Sequence, residues 1–221
     1  MLIHKKFDYK PLKRVDNGNG RRYIVGEGRP LPSVTTILSK TKDLTHIKAW
    51  QARVGLAEAE KIKTEASGLG NSMHKNLENY ILGENMSGSF MAQTLAKVII
   101  KKGLPKITEI WGTEVSLYSK DLYAGTTDLI GLHDNLPSIM DFKNSLREKQ
   151  KEWIEDYFMQ LAAYAMSHNE MYDTDIHRGV IMIATRDAKY QEFIIEGDEF
   201  THYETMWANK LCAYYDQYGY D

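Results

Sequence analysis

The chain has 221 residues, of which 43% are hydrophobic, so it is long enough to bury a core within a single domain. Lysine and arginine total 28 against 30 aspartate and glutamate residues, and a formal net charge of −2 neither indicates nor excludes a nucleic-acid partner, because a local basic groove is enough to bind one. Cys212 is the only cysteine, which excludes a disulfide framework and a four-cysteine iron–sulfur cluster, and no apolar run approaches the roughly 18 residues of a membrane span.

Residues 1–22 form a basic segment in which lysine and arginine outnumber Asp8 and Asp16. We expect a solvated arm here, with an arm that contacts phosphate groups as the alternative. The segment lacks the apolar core of a signal peptide, and its two acidic residues disfavour a mitochondrial presequence. A cytoplasmic protein without a membrane partner is therefore expected.

Turn and strand signals come next. Residues 17–20 read Asn-Gly-Asn-Gly and predict a turn, and residues 22–25 predict a short strand. Within residues 31–38, Pro32 fixes the backbone direction at the start of a helical turn, and Ser33 is placed to cap that turn. This part of the chain carries no obvious chemistry by itself.

A long helix is predicted over residues 45–66, where apolar residues recur near helical spacing, and residues 68–70, Gly-Leu-Gly, are expected to end it. Trp50 lies on this helix. We expect it in the core, with a platform for stacking nucleic-acid bases as the alternative.

A second helix is predicted to begin at Asn71, and it carries His74 and Glu78 on one face. A histidine on a helix is more often a surface or core residue than a ligand. His74, however, stands in the pattern Gly70-x-x-x-His74, and a neutral imidazole can complete a carboxylate metal site. Glu78 would then support the site or act as an ordinary i,i+4 partner of His74.

After a third helix over residues 89–102, residues 107–118 predict a strand that bears Glu114. Whether Glu114 faces Asp128 depends on a one-residue choice in the register of the turn that follows. Glu114 is a candidate metal ligand in one of those registers and not in the other.

A hairpin is predicted within residues 125–143, where two strand-like runs flank a turn centred between Asp134 and Asn135. In that register Asp128 and Asp141 lie side by side on one face of the antiparallel pair. Side chains alternate along a strand, so the lysine two positions after Asp141 emerges on the same face. The hairpin therefore predicts two carboxylates and one ammonium group close together.

Two adjacent carboxylates repel each other unless a positive charge lies between them, and their hard oxygens suit Mg²⁺ or Mn²⁺. Lys143 is then positioned to act on an attacking water or to hold a phosphate oxygen. An isolated Asp-x-Lys is more often a strand end followed by a solvated lysine. The pattern Gly125-x-x-Asp128-x-x-Gly131, ahead of Asp141-x-Lys143 at hairpin distance, favours the metal site instead.

A long amphipathic helix is predicted over residues 149–168, with Trp153 on its inward stripe. Gln160 and Tyr164 share one face of this helix. Gln160 could orient Lys143, a water or a phosphate. An ordinary polar residue at the core boundary is the alternative.

The remaining residues complete the sheet. Residues 179–185 predict a buried strand and residues 192–195 its hairpin partner. Arg186 lies in the turn between them, where a solvated charge is the commoner role and a phosphate contact the alternative. Ser145, at the start of the loop after Asp-x-Lys, is a further candidate contact to nucleic acid.

We therefore predict a single domain: the basic arm of residues 1–22, a helical region over residues 45–102, a sheet core over residues 107–197 and a closing helix over residues 198–218. No internal repeat or low-complexity tract interrupts it.

Four motifs occur in a specific order, which matters more than any one of them: Gly70-x-x-x-His74, Gly125-x-x-Asp128-x-x-Gly131, Asp141-Phe142-Lys143 and Gln160-x-x-x-Tyr164. Together they resemble the PD-(D/E)xK nuclease superfamily in its RecB-type branch. Further similarity to the mitochondrial genome maintenance exonucleases and their phage relatives lies in residues 32–35, the helix with Trp50, residues 123–125 and the strand at 179–184. The resemblance covers residues 30–215, and a phage or bacterial version suits the composition.

The resemblance implies an α/β fold with a restriction-endonuclease-like core, a mixed β-sheet flanked by α-helices, and an N-terminal helical arch over residues 45–102. It implies one or two Mg²⁺ or Mn²⁺ ions. The implied ligands are His74, Asp128, Asp141 and the backbone carbonyl of Phe142. Lys143 would assist the attacking water and Gln160 would support the site. Asp141 stands where many relatives carry glutamate, which still leaves an anionic oxygen.

The activity implied is that of a DNA exonuclease acting on single-stranded ends, with Asp128, Asp141, Lys143 and Gln160 as catalytic residues and Tyr164 among the nucleic-acid contacts. A structure-specific endonuclease for flaps or junctions and a DNA-binding recombination accessory protein are the alternatives. Replication or recombination proteins would be natural partners, but the residues identify none of them.

Overall fold

The computed structural model describes residues 2–3, 6–16 and 18–220 and has a mixed α/β fold. Its strands are β1 (Leu2–Ile3), β2 (Lys13–Asp16), β3 (Arg21–Ile24), β4 (Pro30–Pro32), β5 (Ile107–Ser119), β6 (Tyr123–His133), β7 (Leu136–Ser145), β8 (Arg178–Thr185) and β9 (Tyr190–Glu196). Its α-helices are α1 (Val34–Lys40), α2 (Thr45–Val54), α3 (Leu56–Leu82), α4 (Phe90–Lys102), α5 (Glu155–Tyr172) and α6 (Gly197–Tyr218).

The main sheet has six strands in the order β1-β5-β6-β7-β8-β9. β1 pairs with β5, and β7 with β8, in parallel, while the other three pairs are antiparallel. The sheet is therefore mixed, as predicted. A smaller antiparallel sheet in the order β2-β3-β4 lies beside it.

Helices cover both faces of the main sheet and bury a core on each. α5 and α6 pack on one face, and α3 and α4 on the other. β8 is buried at every position because it runs between the two layers, and its side chains alternate between them. Ile181 joins the core under α5 and α6, and Met182 joins the core under α3 and α4.

The hairpin between β6 and β7 has the predicted register, with Leu129 opposite Met140 and His133 opposite Leu136. The turn residues Asp134 and Asn135 have φ angles of 50° and 64°. Two consecutive positive φ angles are typical of the two-residue type I′ turn, whose twist matches that of the strands. The register predicted from the residues of this turn is therefore confirmed.

The predicted helix break at residues 68–70 is wrong. α3 continues through both glycines, and the break lies earlier, at Gly55, which has a φ of 87°. An interior glycine costs a helix about 1 kcal/mol relative to alanine, an amount that packing of the helix against the sheet can offset. Gly70 is buried in that packing.

The predicted basic arm is not a free arm along its whole length. β2 lies within it and pairs with β3, which begins within the arm and continues beyond it to the buried Tyr23 and to Ile24. Phe7 and Tyr9 pack on the core beside Trp111. Residues 1, 4, 5 and 17 of the segment lie outside the described residues.

Two tryptophans expected in the core are not there. α2 contributes no buried residue, and Trp50 is only half-buried. Trp153 precedes α5 in a 3₁₀ turn and is 64% exposed. The helical spacing of apolar residues did not show whether a helix face packs against the core or is exposed to solvent. Among the described residues, no helix combines the length and apolarity needed to cross a membrane.

Candidate active site

Most of the predicted site residues line one cavity of about 370 Å³ at the end of the β6–β7 ladder: His74, Glu114, Asp128, Asp141, Lys143, Gln160 and Tyr164. The pairing of β6 with β7 ends at Leu129, and Asp128 is the residue just before it in the sequence. One of the Asp128 carboxylate oxygens accepts a hydrogen bond from the Phe142 amide at 2.7 Å. The other oxygen lies 3.2 Å from His74 Nδ1, which α3 brings over the sheet. Asp128 therefore connects β6, β7 and α3.

Asp141 and Lys143 form the second half of the site. Both point to the same face of β7, and Lys143 Nζ lies 2.5 Å from Asp141 Oδ2. Gln160, on α5, donates from Nε2 to Asp141 Oδ1 at 3.1 Å and accepts at Oε1 from Lys143 Nζ at 3.4 Å. The amide thus contacts the aspartate and the lysine at once, and its role in positioning them for catalysis stays a prediction.

The glycines of the motifs occupy places where another group approaches closely. A Cβ on Gly70 would lie 2.9 Å from Asn144 Oδ1, and Asn144 donates to the Ala66 carbonyl of the same helix at 3.3 Å. A Cβ on Gly131 would lie 2.1 Å from the Glu109 carbonyl oxygen. Such contacts exclude larger residues, so these glycines set how closely α3 and β5 approach the hairpin.

Glu114 faces the site, which settles the register that the sequence left open. Thr113 pairs with Leu129 and Val115 with Thr127, so Glu114 stands opposite Asp128. Glu114 has a φ of 49°, uncommon for a residue other than glycine. One ligand atom each from His74, Glu114 and Asp128 can be chosen so that all three lie within 4.8 Å of one another.

Burial and mutual charge shift the pKa values of these groups in different directions. For His74, burial works to lower the pKa, but the neighbouring Asp128 carboxylate outweighs it and raises the pKa to about 9. For Asp128, burial works to raise the pKa, but His74 outweighs it and the pKa is lowered.

The other two carboxyl groups have raised pKa values. Burial first, and then the Asp128 charge, raises the pKa of Asp141 to about 6 even though Lys143 acts to lower it. The Glu114 residue is exposed by surface area, but its carboxylate sits at the cavity wall, and partial desolvation followed by repulsion from Asp128 raises its pKa to about 7. Burial is the largest cause of both shifts, and the charge of Asp128 adds to it.

The donor set fits a divalent cation. In an octahedral shell at about 2.1 Å, neighbouring ligand atoms are about 3 Å apart and opposite ones about 4.2 Å apart. The His74 Nδ1–Asp128 Oδ1 separation of 3.2 Å is close to the spacing of neighbouring ligands, and Glu114 has a carboxylate oxygen within 4.8 Å of the ligand atoms of both residues. Carboxylates suit Mg²⁺ and Mn²⁺, and the imidazole favours the softer of the two, Mn²⁺.

Asp141 is not part of that three-residue group, because its oxygens are directed to Gln160 and Lys143. Its Oδ2 is buried and has an ion-pair partner but no hydrogen bond of normal geometry. Its role as a ligand, and that of the Phe142 carbonyl, stay predictions. Both backbone groups of a strand residue point to the same neighbour, so the Phe142 carbonyl is directed toward β6, as its amide is.

Of the predicted nucleic-acid contacts, only Tyr164 lines this cavity. Ser145 is buried, and its hydroxyl donates to the Arg147 carbonyl at 2.6 Å. Arg186 and Trp50 do not line the cavity either. Any contact they make to a nucleic acid would lie outside it.

Sequence reasoning missed six residues of the cavity wall: Arg14, Arg21, Thr35, Asn71, Lys75 and Thr126. The two arginines were grouped with a solvated arm. The signal available was the alternation of residues 13–16 and 21–24 around an Asn-Gly-Asn-Gly turn, which is typical of a hairpin.

Comparison with known proteins assigns no family. No family model matches the sequence, and no curated protein does. Among solved structures, "Crystal structure of SSO0001" matches with a TM-score of 0.44 and 14% sequence identity over 86% of this chain and 79% of that chain.

Proposed function

We propose that this chain is a divalent-metal-dependent deoxyribonuclease with a restriction-endonuclease-like core, which hydrolyses phosphodiester bonds at the free ends of single-stranded DNA. One observation carries the proposal: the Asp141–Lys143 ion pair, held by Gln160, shares a cavity with the His74–Asp128 pair. Clustered carboxylates and a lysine, in a cavity lined mainly by polar and charged side chains, suit a charged substrate such as a phosphodiester.

His74, Asp128 and Glu114 would hold the cation, with Asp141 and the Phe142 carbonyl as the further ligands. When bound, the cation supplies Lewis-acid stabilisation of the negative charge on the phosphate oxygens. Without it, the carboxylates of Asp128, Asp141 and Glu114 would have no cation to bridge them to a phosphodiester, and the basic side chains of the same cavity would not supply a Lewis acid. The proposal therefore requires that activity be lost in EDTA.

Lys143 acts as a proton-bearing donor. Burial works to lower its pKa, but Asp141 and Asp128 outweigh burial and raise it, so Nζ stays an ammonium at neutral pH. An ammonium donates, and it would orient the attacking water or bind a phosphate oxygen. Asp141, whose two oxygens face Lys143 and Gln160, lies where it could accept the proton of that water. Gln160 keeps both side chains in place through its amide.

The preference for single-stranded ends rests on the resemblance and on the helices that precede the site. Leu56 on α3 is 73% exposed and Ile62 is 39% exposed, while Trp50 on α2 is half-buried. Apolar and aromatic surface of this kind suits unstacked bases, which every single strand presents.

The test is digestion of DNA strands labelled separately at the 5′ and 3′ ends, with Mg²⁺, Mn²⁺ or EDTA. We expect nucleotide release from the linear single strand with either cation and none in EDTA. Lys143→Ala should abolish release, while Lys101→Ala, an exposed lysine on α4, should leave it unchanged. Release by Lys143→Ala near the wild-type rate would contradict the role given to Lys143.

A covalently closed single-stranded circle distinguishes the remaining possibilities. An enzyme that needs a free end should spare the circle. Cleavage of the circle or of flaps and junctions would indicate a structure-specific endonuclease. Tight DNA binding without release under any cation would indicate an accessory protein.

A further inference from the structure

Two cavities of the protein adjoin. The cavity at the carboxylates continues into a second one of about 480 Å³, and both are lined by Arg14, Arg21 and Thr35. The second cavity lies between the β2–β3 hairpin, α1 and α3, and Lys40 and Lys63 are part of its wall. The two cavities together form a passage that leads away from the site, and we call it the hairpin passage.

The hairpin presents its arginines to this passage because of its register. Arg14 pairs with Tyr23, and Asp16 with Arg21, so these four residues share one face of the hairpin. Tyr23 is buried, and its hydroxyl lies 3.2 Å from Thr126 Oγ1, beside the carboxylates. The face that carries the arginines is thus the one that docks against the site.

The charges on this face are free to bind an anion. Within the described part of the chain, neither Arg14 nor Arg21 forms an ion pair with a carboxylate. Asp16 is the acidic residue of the second cavity, and its carboxylate accepts a hydrogen bond from the Gly18 amide at 3.1 Å. Lys63 lies 3.5 Å from Glu60, an exposed pair of little strength.

The second cavity is the more basic part of the passage, because Arg14, Arg21, Lys40 and Lys63 outnumber Asp16 there. At the site, a cation bound by the carboxylates would hold one phosphate. In the second cavity, basic side chains can accept phosphates directly. A polyanion that spans both would place one phosphate at the carboxylates and its neighbours along the arginines. Arginine suits the second task because its planar fork binds phosphate oxygens in pairs and is weakly hydrated.

We propose that Arg14 and Arg21 bind the backbone phosphates next to the one that lies at the carboxylates, so that a single strand runs along the β2–β3 hairpin. This inference rests on the proposed function and adds to it the path of the substrate. It assigns the basic N-terminal segment to phosphate binding rather than to solvent.

The chain offers a matched control. Lys13 and Arg22 lie on the same two strands but on the opposite face of the hairpin, since Lys13 pairs with Ile24 and Arg22 with Val15. The double variants Arg14→Gln/Arg21→Gln and Lys13→Gln/Arg22→Gln remove the same charge from the same hairpin. A third variant, Arg14→Lys/Arg21→Lys, keeps the charge.

The measurement is equilibrium binding of a fluorescent oligothymidylate at several salt concentrations, without divalent cations so that no cleavage occurs. Each phosphate contact in a single strand contributes about 0.7 to the slope of log K against log salt. We expect Arg14→Gln/Arg21→Gln to reduce that slope by about 1.4. The lysine pair should keep most of the slope, and Lys13→Gln/Arg22→Gln should keep all of it. Thermal melting of each variant verifies folding.

The outcomes separate this inference from the function on which it rests. Equal loss of slope in both glutamine pairs, or no loss in either, overturns the inference. If the inference is overturned in this way but the wild type still releases nucleotides with Mn²⁺, the proposed function is retained without the inference. A wild type that neither binds the strand nor releases nucleotides overturns both. Loss of slope only in Arg14→Gln/Arg21→Gln supports the passage, whether or not release is seen.

Discussion

The ring of Tyr164 lies against the backbone of Gly125, so closely that a Cβ on Gly125 would come within 2.6 Å of Tyr164 Cε1. Tyr164 is buried, and its hydroxyl oxygen lies 3.4 Å from Gln160 Nε2, which also donates to Asp141. The glycine of one sequence motif therefore makes room for the tyrosine of another. This contact joins β6 to α5 directly beside the site.

Gly125→Ala should displace Tyr164 and, through it, Gln160. Overpacking of this kind costs about 1–3 kcal/mol, and each kcal/mol lowers the melting midpoint of a chain this size by about 2–4 °C. We expect both the midpoint and the rate of nucleotide release to fall. Adding Tyr164→Ala to Gly125→Ala should remove the clash, so the two losses of stability should be less than additive. Additive losses would show that the ring and residue 125 do not contact each other.

The two glycines inside α3 give a matched pair. A Cβ on Gly68 would meet nothing within 4 Å, whereas one on Gly70 would lie 2.9 Å from Asn144 Oδ1. Gly68→Ala should therefore stabilise the protein by about 0.5–1 kcal/mol through helix propensity. Gly70→Ala should lose that gain and impair nucleotide release, because Asn144 must move beside the helix that carries His74. Chemical denaturation measures the first effect and digestion the second; equal behaviour of the two variants would contradict the contact.

Cation binding should strengthen as pH rises. A ligand must lose its proton before it can bind a metal, and the pKa values of His74 and Glu114 are raised to about 9 and about 7. The logarithm of the Mn²⁺ association constant should therefore rise by about one for each pH unit between 7 and 9, and by about two between pH 6 and pH 7. Titration calorimetry at several pH values measures this. His74→Gln should remove the dependence above pH 7, and an unchanged dependence would show that His74 is not a ligand.

A buried histidine far from the site should make stability depend on pH. His168 is fully buried, and its Nε2 lies 2.9 Å from the Tyr9 hydroxyl and its Nδ1 2.7 Å from Thr174 Oγ1. Burial first, and then the charge of Lys6, lowers the His168 pKa to about 4.

The unfolded chain therefore takes up this proton at higher pH than the folded protein does. Stability should fall as pH drops from about 6.5 to about 4, by roughly 3 kcal/mol at most. His168→Gln should reduce this loss, whereas His202→Gln, at an exposed position, should not. Denaturant unfolding at pH 7, 5.5 and 4.5 decides between them; equal pH dependence in all three proteins would contradict a buried neutral His168.

The parts of the site that lie close together in sequence could be predicted. The β6–β7 register follows from a two-residue turn at Asp134 and Asn135, and side-chain alternation then places Lys143 beside Asp141. Helical spacing likewise put Gln160 and Tyr164 on one face. These inferences need only local geometry, which the sequence specifies through turn chemistry and periodicity.

The parts that depend on distant packing could not be predicted. Glu114 stands opposite Asp128 because β5 and β6 are joined by a three-residue turn with a positive φ at Asp121, and the sequence does not specify the length of that turn. The break at Gly55 rather than at Gly68 and Gly70 reflects packing of α3 on the sheet. Whether the face of α2 meets protein also depends on elements far along the chain.

The most direct test of the account is anomalous diffraction at the manganese edge from a crystal grown with Mn²⁺. We expect a peak at about 2.1–2.3 Å from His74 Nδ1 and an Asp128 carboxylate oxygen, with Glu114 or Asp141 as a further ligand and Lys143 Nζ nearby. A crystal in which these side chains point apart and no manganese lies among them would contradict the account.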